Sequence, residues 1–216
     1  HIRDYLIMTT AENLNRIIQA KSDIKQAIEN KGVTVGDMTI DGYAAKINEI
    51  PQEVTGGGKW VVPDGTIFQG STWEHFDGSA IDTSNVIDMS GMFNSCGFLK
   101  TISGVENWDT SKVTAMDSMF KECEKLINIG DLSNWNTSNV TITYAMFRNC
   151  KTLVDIGDLS NWNTSKVGNM SEMFISCESL TNIGKLDNWN TSKVWDMSSM
   201  FCHCIKLETL GDLSNW

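Results

Sequence analysis

The sequence NWNTSKV occupies residues 161–167 and occurs again at residues 188–194. Two near copies are NWNTSNV at 134–140 and NWDTSKV at 107–113. A catalytic site is normally built once, whereas a structural unit that stacks on its neighbours is copied at a fixed period. The stretch therefore indicates a repeated architecture and decides how the rest of the chain is interpreted.

The copies recur every 27 residues, and tryptophan marks the start of each unit except the first, which begins at Ile81. Five units follow without insertion or deletion, at 81–107, 108–134, 135–161, 162–188 and 189–215. A lone unit of this size cannot bury enough apolar surface to repay the cost of ordering it, so we expect the units to stack.

Each unit repeats the same apolar positions. In the fourth unit they are Trp162, Val167, Met170, Met173, Phe174, Cys177, Leu180, Ile183 and Leu186. The spacing of three and four from 167 to 177 predicts a short helix, capped by Thr164 and Ser165. Residues 180–186 are too short and too interrupted by glycine for a helix, and we interpret them as a brief strand and turn.

The cysteines follow the same period. We predict that they form a row of small buried thiols; disulfides between neighbouring units are the alternative. The row consists of Cys96, Cys123, Cys150, Cys177 and Cys204.

The unit pattern W-[DN]-T-S-x-V-x-x-M-x-x-M-F-x-x-C-x-x-L-x-x-I resembles the BspA-like class of bacterial leucine-rich repeats, also catalogued as a Mycoplasma-type lipoprotein repeat of unknown function. The resemblance covers residues 81–216. It implies an α/β solenoid, a right-handed leucine-rich-repeat-like stack in which each coil has a short helix and a short parallel strand. It also implies display on a bacterial surface and adhesion or host-protein binding without catalysis. Two departures are the spacing L-x-x-I-x-x-L and Thr143, which replaces a methionine.

The residues before the repeats predict other modules. Residues 1–51 indicate a small helical module, with helices at about 10–30 and 42–50 that resemble modules ahead of repeats in prophage tail-type and surface proteins. Residues 52–59 indicate a glycine-rich linker. Residues 60–80 predict a β-hairpin that caps the first coil through Trp60, Val62, Ile67 and Phe68.

Composition excludes some classes of partner. The formal net charge is −10, so nucleic acid and anionic membranes would be repelled. No apolar run is long enough to insert into a bilayer, and we find no signal peptide in this chain. We expect a surface or extracellular location from the family resemblance; cytoplasmic and virion-associated locations stay open. The last residue, Trp216, is the first letter of a sixth unit, so we expect the protein to continue; an open coil that meets an oligomer partner is the alternative.

No motif predicts catalysis, a cofactor or a metal. Cys202-His203-Cys204 has the right residue types for zinc, but no second pair completes four ligands. We therefore predict a protein that is not an enzyme.

Binding should use positions that differ between units on a constant frame. The candidate surface is the position that follows the repeated leucine in each unit, here called the slot, together with Trp195. Trp195 has a large aromatic side chain, unlike the residues at the equivalent position of the other units. We predict a non-catalytic recognition or adhesion module that binds a protein or glycan. The alternative is a phage or prophage tail-associated fibre component, in which the N-terminal helices attach or oligomerise. The slot contains Lys100, Ile127, Val154, Thr181 and Glu208.

Overall fold

The computed structural model describes residues 60–62, 64–214 and 216. All of them lie in the second of the chain's two units, Lys59–Trp216. The predicted helices within 1–51 and the linker at 52–59 fall outside the described residues.

The regular elements are short and pair in parallel. Strand β1 (Trp60–Val61) pairs with β3 (Ile81–Asp82), and β2 (His75–Asp77) pairs with β4 (Thr101–Ser103). Two 3₁₀ helices, Val105–Asn107 and Leu159–Asn161, complete the set.

Isolated parallel bridges between residues 27 apart form two ladders through the later units, and one of them continues the β2–β4 pairing from Thr101. Each unit therefore lies on the next as a layer in constant register. One ladder joins Asp88, Ala115, Ile142, Asn169 and Asp196, and the other joins Thr101, Asn128, Asp155 and Asn182.

The predicted α/β solenoid is wrong, because the described residues contain no α-helix and the layers meet through bridges and two short strand pairs. The cause lies in the backbone amides. The amide of Phe120 donates to the carbonyl of Met146 in the next layer at 2.8 Å. The amide of Lys121 instead donates to Ser118, three residues earlier, at 3.1 Å. An α-helix would direct every amide four residues back within its own unit, whereas here alternate amides leave the unit.

Left-handed backbone conformations produce this alternation. The segment predicted to be a helix has positive φ at two positions four residues apart, such as Ser118 (56°) and Glu122 (62°). A residue in this conformation interrupts a right-handed helix and turns the next amide sideways. The chain thus makes successive tight turns within a layer. The equivalent pairs are Gly91 and Ser95, Ala145 and Asn149, Glu172 and Ser176, and Ser199 and His203.

The predicted hairpin at 60–80 is also wrong. Both of its strands pair in parallel with strands of the first repeat, not with each other. Gly70 donates its amide to the carbonyl of Asn94 at 2.9 Å, which continues the cross-layer pattern. Residues 60–80 therefore form a shortened layer. Val62 and Phe68 are buried against the first repeat and Ile67 is partly buried.

The interior consists of identical side chains stacked from layer to layer. The phenylalanines of the five repeats lie with ring centroids 5.3–5.5 Å apart and nearly parallel planes. Aromatic rings at this separation attract one another and bury large apolar areas. The stack contains Phe93, Phe120, Phe147, Phe174 and Phe201.

The tryptophan of the repeated NWNTSKV segment, here called the corner, forms a second stack. Trp162 is buried, lies parallel to the tryptophans on either side, and donates its Nε1 hydrogen to the carbonyl of Leu132 at 3.0 Å. The indole thus supplies apolar area and adds a second hydrogen bond to a carbonyl that also accepts from the Trp135 amide at 3.1 Å. Trp108, Trp135, Trp189 and Trp216 make equivalent hydrogen bonds.

The polar letters of the corner also have defined roles. Asn163 accepts a hydrogen bond from the Ser165 amide at 3.1 Å, which closes a local turn. Thr164 donates its hydroxyl hydrogen to the Asn190 carbonyl of the next layer at 3.1 Å. The predicted helix cap is therefore wrong, since Thr164 joins two layers and Asn163 serves the turn.

The third repeat differs at one core position. Thr143 stands where the other repeats have methionine, and it is buried. A small cavity lies beside it, between the third and fourth layers. Its lining includes Val140, Trp162, Val167, Met170, Met173 and Trp189.

Candidate binding surface

The five slot residues that sequence predicted as a binding surface lie in one continuous row, here called the variable row: Lys100, Ile127, Val154, Thr181 and Glu208. The amides of the second to fifth row residues each donate to the carbonyl of the row residue in the preceding layer, as from Ile127 to Lys100 at 2.8 Å and from Val154 to Ile127 at 3.2 Å, and the Lys100 amide donates to the Glu74 carbonyl at 2.7 Å. These interlayer bonds use the backbone, so the side chains can differ without loss of the contact between layers. Thr181 adds a side-chain bond, from its hydroxyl to the Val154 carbonyl at 3.3 Å.

The centre of the variable row is apolar and accessible. The side chains of Ile127 and Val154 are neighbours in adjacent layers and are 48% and 43% exposed. Lys100 bounds them on one side and pairs with Glu74 at 2.7 Å. Thr181 and Glu208 continue the row on the other side. An apolar centre with a polar rim is typical of a surface that binds another macromolecule.

Trp195 lies in a different row, here called the tryptophan row, with Ile87, Thr114, Thr141 and Gly168. Its amide donates to the Gly168 carbonyl at 2.8 Å. Its side chain is 74% exposed. The structure therefore does not bring Trp195 into the variable row: the predicted candidates divide between two rows.

Sequence reasoning did not identify Gly168 as a functional residue, although the structure places it directly under the Trp195 ring. A Cβ built on Gly168 would lie 2.8 Å from Nε1 of Trp195. The available signal was a glycine next to the one tryptophan in a column that otherwise contains isoleucine and threonine.

A cation–π pair adds a further exposed feature beside the variable row. The Lys125 ammonium lies 4.7 Å from the centre of the Phe98 ring, and Phe98 is exposed. The pair lies two residues before the variable row in each layer, so it extends the same surface. Such contacts at exposed sites contribute about 0.5–1 kcal/mol.

The cysteine row is buried in its first four members, Cys96, Cys123, Cys150 and Cys177, and partly exposed at Cys204. The thiols are free and donate to carbonyls of the preceding layer, as from Cys150 to Phe120 at 3.1 Å. Burial raises the pKa of Cys150 well above its usual value and that of Cys204 to about 11. Thiols with raised pKa are poor nucleophiles, which favours a structural role for these members of the row. Cys96 differs, because a hydrogen bond with Cys123 and others with Ser71 lower its pKa to about 7.

The Cys202-His203-Cys204 segment does not gather its side chains in one place. Cys202 and His203 are exposed, whereas Cys204 donates to the Phe174 carbonyl at 2.9 Å. Across residues 60–62, 64–214 and 216, no group of three or more His, Cys, Asp or Glu side chains is arranged to hold a metal ion. In the same residues, no helix is long and apolar enough to cross a bilayer.

The repeated layers are also the part of the chain that a protein-family model matches. The model of a family described as "Mycoplasma protein of unknown function, DUF285" matches residues 66–182 and 154–216, which together exceed half of the chain. The chain belongs to this family. The DUF285 match covers every repeat and both rows. No curated protein and no solved structure matches the chain.

Proposed function

We propose that this DUF285 protein is a non-catalytic recognition module of a bacterial surface protein, which binds a protein or glycan through its exposed rows. One observation carries the proposal: positions that differ between repeats form rows on a backbone frame that does not differ. Repeat proteins bind partners in this way, because the frame positions neighbouring side chains at a fixed spacing.

Two further observations support it. The variable row presents the exposed Ile127 and Val154 at its centre, within reach of the Phe98–Lys125 pair. The unit pattern resembles BspA-like repeats, which supports the bacterial surface and adhesion parts of the proposal. The location of the protein, its oligomeric state and its lack of enzymatic activity stay predictions.

The test is an array of glycans and extracellular-matrix proteins that is probed with the full chain. The double variant Ile127→Ser/Val154→Ser should lower affinity for a captured protein at least about tenfold, because it removes the apolar centre of the row. Ile205→Ser is the matched control, since Ile205 is another exposed apolar side chain outside both rows. An array without any bound ligand would contradict the proposal, as would equal binding by the double variant and the control.

The tail-fibre alternative depends on residues 1–51 as an attachment or oligomerisation element. Those residues fall outside the described part of the chain, so the alternative also stays a prediction.

A further inference from the structure

The Trp195 ring is seated on the backbone of the layer below it. A Cβ on Gly168 would meet Nε1 of Trp195 at 2.8 Å and Cδ1 at 3.2 Å, and both distances are too short for an undisturbed contact. Gly168 does not have a positive φ. Glycine is therefore not required by the local backbone conformation, and its benefit here is the space that the indole occupies.

The seated ring is an accessible apolar surface held in a defined orientation. Trp195 is exposed, and so are Ile87 (47%), Thr114 and Thr141 of the same row in earlier layers, whereas the corner tryptophan of its own layer, Trp189, is buried. A ring in contact with the backbone loses fewer rotamers when a ligand binds than a freely moving side chain does. This arrangement favours a ligand that packs on one face of an aromatic ring.

The surroundings of the ring carry hydrogen-bonding groups. Thr141, one layer beyond Gly168, is exposed and donates its hydroxyl hydrogen to the Thr114 carbonyl at 3.0 Å, which leaves oxygen lone pairs for a ligand. In the column two residues earlier, the Lys166 ammonium donates to Asn139 Oδ1 at 2.8 Å. The row itself thus offers threonine hydroxyls, and the column two residues earlier offers lysine and asparagine side chains.

Charges near the ring have both signs. Asp196, the next residue, accepts hydrogen bonds from the amide and hydroxyl of Ser198, which lower its pKa and keep it ionised. Lys166 and Lys193 lie in the adjacent column. The face around Trp195 therefore has no large excess of either charge, although the chain as a whole carries −10.

We infer that Trp195 and its row bind a neutral glycan chain, an assignment that rests on the proposed recognition function and specifies the ligand of this row. A sugar ring has an apolar C–H face that packs on an indole and a rim of hydroxyls that bonds to the flanking polar groups. A polyanionic glycan would be opposed by the net charge of the chain. A protein anchor is normally surrounded by further desolvated contacts, whereas Trp195 is flanked by the polar Lys193 and Asp196 as well as by Met197, which is 36% exposed.

The test is affinity electrophoresis of the full chain through gels that contain dextran, mannan, xylan or a mixed-linkage β-glucan. We expect at least one of these to retard the wild-type protein, and Trp195→Ala to weaken that interaction at least about tenfold. Gly168→Thr introduces the residue found at Thr114 and Thr141 of the same column and displaces the ring. It should weaken binding to a similar extent, with no further loss when combined with Trp195→Ala.

Ile205→Ala is the matched control, because it removes an exposed apolar side chain from the layer that contains Trp195, outside both rows and outside the Phe98–Lys125 pair. Its mobility should equal that of the wild type. The inference fails if none of the polysaccharides retards the protein, if Trp195→Ala migrates as the wild type does in their presence, or if Trp195 proves to bind a protein from the array instead. If the variable-row variant loses its protein ligand while the gels show no glycan binding, the proposed function stands and this inference alone is wrong.

Discussion

The repeated corner and the variable row recur at the same period of 27 residues. The residues of the corner are nearly the same in every repeat, whereas those of the variable row differ from repeat to repeat. At the corner, the bonding groups between layers are side chains: the Trp162 indole and the Thr164 hydroxyl both donate to carbonyls of adjacent layers. In the variable row, the bonding groups are backbone amides, as from Ile127 to Lys100. A substitution therefore breaks the stack at the corner but leaves it intact in the variable row.

The largest effect should come from the corner tryptophan. Trp162→Ala removes a buried ring between Trp135 and Trp189 and one of the two donors to the Leu132 carbonyl, which keeps the Trp135 amide at 3.1 Å. We expect the free energy of unfolding to fall by about 3–5 kcal/mol, measured by urea denaturation. Trp195→Ala, the exposed counterpart, should change it by less than about 0.5 kcal/mol. Equal losses in both variants would remove the distinction between corner and surface.

Two threonine-to-valine substitutions, one at the buried corner and one at an exposed position, compare the loss of a single hydroxyl in the two regions. Thr137→Val deletes a buried hydroxyl that donates to the Asn163 carbonyl at 3.2 Å. The free energy of unfolding should fall by about 1 kcal/mol, since an interlayer hydrogen bond is lost in the interior. Thr114→Val deletes an exposed hydroxyl that donates to the Ile87 carbonyl at 3.3 Å, and water can replace it. If both substitutions lower the free energy of unfolding equally, burial does not determine how much the Thr137 hydroxyl contributes to stability.

The smallest expected effect is a gain in stability from a substitution at Thr143, the polar position in the core. Thr143→Met restores the residue of the other repeats and fills the small cavity between the third and fourth layers. The Asn169 carbonyl keeps the Thr143 backbone amide as a donor at 3.1 Å, so loss of the hydroxyl leaves it paired. Thermal denaturation should show stabilisation of about 0.5–1 kcal/mol. A decrease would mean that the layers cannot accommodate the longer side chain.

The sequence predicts which side chains are inside but not how the backbone is bonded. All nine apolar positions of the fourth repeat are buried, from Trp162 to Leu186. Apolar spacing of three and four reports only the direction of side chains, and successive tight turns produce the same spacing as a helix. Serine, glycine and asparagine at several of the positive-φ positions were the available signal against the helix.

The binding candidates were predictable to a similar extent. Alignment of the repeats places Lys100, Ile127 and Val154 in one column, and the constant register makes that column a row. The contact between Trp195 and Gly168 had one sequence signal, the glycine one repeat before the tryptophan, but the direction of the ring does not follow from the repeat pattern.

The account depends most on the amides that leave each layer, and one measurement tests them directly. NMR detection of the scalar coupling across a hydrogen bond identifies the carbonyl that accepts the Phe120 amide. The structure predicts coupling to the carbonyl of Met146, in the following repeat, at an N···O distance of 2.8 Å. Coupling to the carbonyl of Met116 would show an α-helix and contradict the layered stack.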